Sequence, residues 1–141
     1  MVNQGSALWL PWSGMLATLA ALAALPFLAA PTDPWWPDAR TAVFTFALTL
    51  IAMVAGVGSL ALRETLVRSV SSGTLDPRSA EGAARVRSVL LRAWALCVVV
   101  GLLGAFVAYV SAEPRRAWPY GLGAVALLLF HAPGRAVPGR A

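Results

Sequence analysis

Few side chains in this chain of 141 residues could carry out chemistry. There is one cysteine, Cys97, one histidine, His131, six Asp or Glu residues and eleven arginines, and there is no lysine. Because Cys97 is the single cysteine, an intramolecular disulfide is impossible and no Cys-x-x-Cys or Cys/His metal spacing exists. A Ser/His/Asp set, paired carboxylates, an HExxH motif and a glycine-rich phosphate loop are all missing from the sequence. We therefore predict no catalytic, cofactor-binding or metal-binding residue, and a protein that is not an enzyme.

The composition indicates a membrane protein. Hydrophobic residues make up 59% of the chain and charged residues 12%, whereas a soluble domain carries about 25% charged residues. The apolar residues are collected in blocks, and the arginines flank those blocks instead of gathering on a polar surface as they do in nucleic-acid-binding proteins. We expect contact with the lipid bilayer and no binding of nucleic acid.

Four apolar stretches approach the roughly 20 residues that cross a bilayer core. None of them contains Asp, Glu or Lys. The fourth is short, which leaves a tilted or partly re-entrant path open. The predicted spans are residues 7–30, 41–62, 93–112 and 117–132.

These spans predict an all-α, polytopic membrane protein with four transmembrane helices in residues 1–132, arranged as two hairpins. A cleavable signal peptide is the alternative for the first span, but the chain start has no basic residue, so we favour a retained helix. The connection 31–40 is rich in proline and tryptophan and is expected to be a turn lying on the membrane. His131 is expected at the interface, and residues 133–141 form a predicted disordered cytoplasmic tail.

A long polar segment, residues 63–92, separates spans two and three. We predict that helix two stops near Gly73 and that a new helix begins with Asp76 as N-cap and Pro77 in its first turn. Spans two and three then form one long helical hairpin with a cytoplasmic extension. The Glu64–Arg68 and Glu81–Arg85 spacings predict ion pairs four residues apart.

Three arginines of this segment recur every seven residues, which places them nearly on one helix face. Such a basic stripe is either a solvated face near anionic headgroups or a docking surface for a partner. Its residues are Arg78, Arg85 and Arg92.

The distribution of arginine predicts the orientation. With the N-terminus inside, segment 63–92 and the tail place eight arginines in the cytoplasm, and only Arg40, Arg115 and Arg116 lie outside. This count favours a cytoplasmic N-terminus and a cytoplasmic C-terminus. The predicted location is the bacterial cytoplasmic (inner) membrane.

Small residues follow a three-four spacing along span three, so that another helix can approach closely along its length. This face serves either a lateral protein partner or packing within the chain. The candidate helix-packing residues are Val98, Gly101, Gly104, Ala105, Ala108 and Ala112.

Residues 95–108, Ala-Leu-Cys-Val-Val-Val-Gly-Leu-Leu-Gly-Ala-Phe-Val-Ala, resemble the outer helix of the c-type proteolipid subunit of rotary ATP synthases. In that family an apolar run holds a carboxylate followed six residues later by a glycine. Gly104 matches the glycine, whereas Val98 stands in the position of the ion-carrying carboxylate. The polar segment before span three resembles that subunit's loop but lacks its Arg-Gln/Asn-Pro signature. The resemblance implies a helical membrane subunit without its ion chemistry.

Taken together, the sequence predicts a small membrane protein that acts through helix-helix contacts, as an accessory or structural subunit of a larger membrane complex. Its expected partners are other membrane-protein subunits or copies of itself. The alternative is a small oligomeric transporter or channel lined by backbone and by small polar side chains such as Thr45, Thr49 and Ser59.

Overall fold

The computed structural model describes residues 6–29 and 31–133, and the regular structure in them is entirely helical. Three of the helices are long and apolar enough to cross a membrane. This confirms the all-α prediction, and three of the four predicted spans are candidate membrane helices. The elements are α1 (Ser6–Ala29), α2 (Asp38–Ser71), α3 (Ala80–Val110), a 3-10 helix (Pro114–Ala117) and α4 (Trp118–Phe130).

The fourth predicted span forms a helix that is short for a membrane crossing. α4 has 13 residues, which at 1.5 Å per residue is about 20 Å, against a hydrocarbon core of about 30 Å. The chain before it is taken up by the 3-10 helix, in which Pro114 begins a tighter turn instead of an additional turn of α4. α4 therefore lies alongside longer helices without matching their length.

α3 lies at the centre of the bundle and packs against α1, α2 and α4. Trp12 Nε1 donates a hydrogen bond of 3.1 Å to the Leu128 carbonyl near one end of α1. Near its other end the Phe27 ring meets Trp118, with 6.5 Å between ring centroids. α1 and α4 are therefore antiparallel, and among the described residues α1 and α2 do not pack on each other.

The connection between α1 and α2 is held against the end of α3. Its prolines interrupt helix formation because they lack the backbone donor and restrict the residue before them. Trp35 N donates to the Val110 carbonyl over 3.1 Å, and the Trp35 ring contacts Tyr109 edge-on at 5.4 Å. We call this the loop end of the bundle, and the end where α2 and α3 continue furthest the hairpin end.

The turn between α2 and α3 differs in part from the prediction. α2 ends at Ser71 and is followed by Gly73 at a φ of 72°, a left-handed conformation that glycine adopts without steric cost, so the predicted stop near Gly73 is confirmed. The predicted N-cap Asp76 is wrong, because α3 begins at Ala80 and Ser79 Oγ accepts a hydrogen bond from Gly82 N. The Asp76 carboxylate accepts instead from the Arg78 N–H within the turn.

α3 ends earlier than predicted. Its last residue is Val110, and Ala112 lies beyond it at a φ of 54°. The N–H of Glu113 donates to the Ala108 carbonyl and that of Ala112 to the Tyr109 carbonyl, which is the Schellman pattern of a helix end. Pro114 cannot continue the helix, so Ala112 is part of a helix cap and not of the helix face assigned to it.

Candidate functional site

The small-residue face of α3 is buried inside the chain. Gly101, Gly104, Ala105 and Ala108 are all buried, and Val98 is partly buried against the hydrophobic core. The sequence left two uses of this face open, a lateral partner or internal packing. The described contacts are those of internal packing.

Two glycines allow the neighbouring helices to come close to α3. A Cβ built on Gly101 would lie 2.5 Å from Leu19 Cδ2 of α1 and 3.7 Å from Ala124 Cβ of α4. A Cβ on Gly104 would overlap the Tyr120 side chain of α4. Both glycines are therefore contact points between α3 and other helices of this chain.

α2 and α3 form the longest hairpin of the molecule. A Cβ on Gly58 would lie 3.5 Å from Leu96 Cδ1, which sets the register of this antiparallel pair. A few residues further along α2 and a few residues back along α3, Arg63 and Arg92 therefore lie at the same level. On the bundle side of this level the exposed residues of both helices are apolar, for example Val54 and Leu102, until Arg40 at the loop end of α2. On the other side they are mainly polar or charged.

The part of this hairpin beyond Arg63 and Arg92 is a packed structure in its own right. Leu66 of α2 and Val86 and Leu90 of α3 are at most 3% exposed and belong to the continuous hydrophobic core. Leu75 from the turn packs against the same core. We call residues 63–92 the hairpin extension, which is a helical projection with its own apolar seam.

Five of the six arginines of the hairpin extension are exposed. Arg85 and Arg92 are exposed on α3 and lie seven residues apart, about 10 Å along one face. Arg78 is also exposed but lies in the turn before α3 begins. The predicted stripe of three arginines on one helix is therefore reduced to two, because the helix starts at Ala80 and not at Pro77.

One of the two ion pairs predicted for the extension is formed. Arg68 Nε lies 2.9 Å from Glu64 Oε1, whereas Glu81 and Arg85 form no ion pair in the described structure. The Glu64–Arg68 pair is solvent-exposed, and pairs of this kind contribute at most about 1 kcal/mol. The surface thus offers several arginines whose charge is available to a partner.

A cluster of polar side chains at the hairpin end was missed by sequence reasoning. His131 was expected at the interface, but it is completely buried, and its Nε2 lies 3.3 Å from Ser59 Oγ. The buried Trp94 Nε1 donates to the His131 carbonyl over 2.9 Å. These contacts tie the end of α4 to α2 and α3.

The described residues of this cluster form no arrangement for metal binding. The buried Cys97 thiol donates to the Ala93 carbonyl of its own helix, and the described residues contain no group of three His, Cys, Asp or Glu able to hold a metal. Arg63 packs over the Phe130 ring, 4.2 Å from its centroid. Ser59 and Trp94 lie on different helices and far from His131 in the sequence, so no sequence pattern predicted that the three residues come together.

The loop end carries a second group of charges. Arg116 donates a hydrogen bond to the Glu113 carboxylate, and this contact lowers the pKa of that carboxyl. Arg115 is exposed beside it. Trp9 and Trp118, near opposite ends of the bundle, are exposed, whereas Tyr120 packs into the bundle and shares a hydrogen bond with Thr49.

No family model, curated protein or solved structure matches this chain. The resemblance to c-type proteolipids stays a prediction. The predicted disordered tail is residues 133–141. All of it except Pro133 lies outside the described residues, and so do its two arginines, Arg135 and Arg140.

Proposed function

We propose that this small helical membrane protein is a non-enzymatic accessory or structural subunit of a larger membrane assembly, and that the hairpin extension is its docking element. The observation that carries this proposal is the continuation of α2 and α3, as a packed pair, beyond the level of Arg63 and Arg92. α2 has 34 residues and α3 has 31, whereas about 20 residues cross a bilayer core.

The change in surface character supports a bilayer boundary at that level. After Arg40 at the loop end, the exposed side chains of α2 are apolar up to Leu60 and charged or polar from Glu64, and those of α3 change between Val99 and Arg92. A boundary here leaves the extension in water. Its Leu66, Val86 and Leu90 seam keeps it ordered there, and its exposed arginines give it a basic surface suited to an acidic partner.

The orientation belongs to the same proposal. The extension carries six arginines, and the positive-inside preference puts such a segment in the cytoplasm. The proposal also has α4 cross the bilayer, although this helix is short, so that both termini are cytoplasmic. Reporters fused at Met1 and Ala141 should both be active in the cytoplasm, and periplasmic activity at either end would contradict this orientation.

The middle of the bundle argues against conduction by a single chain. The buried polar residues Thr41 and Ser111 lie at the loop end, and Ser59 and His131 lie toward the hairpin end. Between them the buried side chains are apolar, such as Leu19, Ala52 and Ala124, and the partly buried Thr49 and Tyr120 hydrogen-bond to each other. No continuous polar path joins the two ends within the described residues.

The test is co-purification from native membranes after mild crosslinking. We expect the tagged chain to bring down another membrane subunit in fixed stoichiometry, and Arg85→Gln combined with Arg92→Gln to reduce that yield at least tenfold at unchanged abundance. Arg40→Gln, at the loop end, is the matched control and should retain the partner. An assembly made only of copies of this chain that conducts a solute would overturn the proposal in favour of the channel alternative.

A further inference from the structure

A crevice of about 270 Å³ opens between α1 and α4 on the side of the bundle away from α2. Its walls are almost entirely apolar. Small residues create the space: Ala20 and Ala23 on α1 face Gly121 on α4, where an added Cβ would still lie 3.9 Å from Ala23 Cβ. The cavity is many times larger than the roughly 30 Å³ that one water molecule occupies, and it has no polar groups to hold water.

The crevice runs along the helices for the depth of one lipid leaflet. Its lining on α1 extends from Leu16 to Phe27, and the eleven steps between these residues rise about 16 Å. Half of a hydrocarbon core of about 30 Å is about 15 Å. Phe27 and Trp118 meet edge-on at the loop end of the crevice, where amphipathic tryptophan rings lie at the headgroup level.

An available cation lies at the same end. Ala117 lines the crevice, and Arg115 is exposed two residues before it in the 3-10 helix. The neighbouring Arg116 is engaged by Glu113, whereas Arg115 forms no ion pair with a described residue. Arginine forms charge-assisted, often bidentate hydrogen bonds with phosphate.

We propose that this crevice is a lipid site that holds one acyl chain of an anionic phospholipid, with the lipid phosphate bound by Arg115. The length and the apolar lining fit an extended hydrocarbon chain. Arg115, exposed at the same end, favours an anionic headgroup, because the choline cation of a zwitterionic lipid offsets the charge of its phosphate. The site involves α1 and α4, so it is independent of the function proposed for the hairpin extension.

The test is native mass spectrometry of the full chain, reconstituted in bilayers with equal amounts of phosphatidylglycerol and phosphatidylcholine of identical acyl chains. We expect one retained phosphatidylglycerol and about tenfold enrichment over phosphatidylcholine. Arg115→Gln should remove the enrichment, whereas Arg40→Gln, another exposed arginine at the loop end, should keep it.

A second pair of variants tests the chain site itself. Ala20→Leu fills the crevice and should abolish retention of the lipid at unchanged thermal stability, because its side chain enters empty space. Ala21→Leu adds the same atoms on a face of α1 directed away from the crevice and should leave retention unchanged. Equal retention of both lipids by the unmodified protein, or full retention by Ala20→Leu, would overturn the proposal.

Discussion

Gly104 of α3 lies directly against the Tyr120 side chain of α4, so closely that a methyl group on Gly104 would overlap the Cβ and Cγ atoms of Tyr120. The nearest of them, Tyr120 Cβ, is fixed to the α4 backbone and does not move with a change of rotamer. At Gly101 the corresponding neighbour is Leu19 Cδ2, the end of a flexible side chain. The two glycines therefore differ in what their replacement would displace.

We expect Gly104→Ala to destabilise the protein more than Gly101→Ala. The first change must shift α4 itself, at a cost of about 1–3 kcal/mol, whereas Leu19 can turn away from an alanine at position 101. The measurement is the thermal unfolding midpoint of the detergent-solubilised protein for each variant.

Gly123→Ala is the control for glycine replacement within a helix, because nothing lies within 4 Å of its added Cβ. It should be neutral or slightly stabilising. If Gly104→Ala were as stable as Gly123→Ala, the close contact between α3 and α4 would be contradicted.

A second prediction concerns Trp94, which is fully buried and donates its indole N–H to the His131 carbonyl. Trp94→Phe removes this donor, leaves a buried carbonyl without it and opens a small cavity, so we expect a loss of about 2 kcal/mol or more. Trp9→Phe is the matched control, because Trp9 is 47% exposed. Equal unfolding midpoints for the two variants would show that Trp94 does not tie α4 to α3.

The sequence predicts the long helices well because their signal is strong and local. About 20 consecutive apolar residues without Asp or Glu can be recognised without knowledge of the fold, and so can the glycine that ends α2. The interior arrangement leaves no such signal. Each span is apolar on all of its faces, so hydrophobic periodicity does not reveal that α3 is central or that Gly104 meets Tyr120.

Local competition explains the errors at helix ends. Asp76 and Ser79 are both good N-cap residues, and Pro77 is typical of a first helical turn. The pattern alone favoured Asp76, but its side chain accepts from the Arg78 N–H and Ser79 takes the cap. His131 was misplaced for a related reason, since its burial depends on Ser59 and Trp94, both distant in sequence.

The third prediction follows from this turn. Ser79→Ala removes the acceptor for Gly82 N and should lower the stability of the extension by about 1 kcal/mol. Asp76→Ala removes only the hydrogen bond to the Arg78 N–H and should cost less. Hydrogen exchange of the amides of Glu81, Gly82 and Ala83 measures this difference. Faster exchange in Asp76→Ala than in Ser79→Ala would restore Asp76 as the cap.

The last prediction concerns Ala112, which adopts a left-handed conformation at the end of α3. A residue with a Cβ is disfavoured there by about 1 kcal/mol, whereas glycine adopts the conformation freely and is the usual residue at this place of a Schellman motif. Ala112→Gly should therefore raise the unfolding midpoint. Ala105→Gly, inside the same helix, should lower it, because glycine in a helix interior costs about 1 kcal/mol relative to alanine. If both changes were destabilising to the same degree, Ala112 would be helical, as its sequence spacing first suggested, and α3 would continue past Val110.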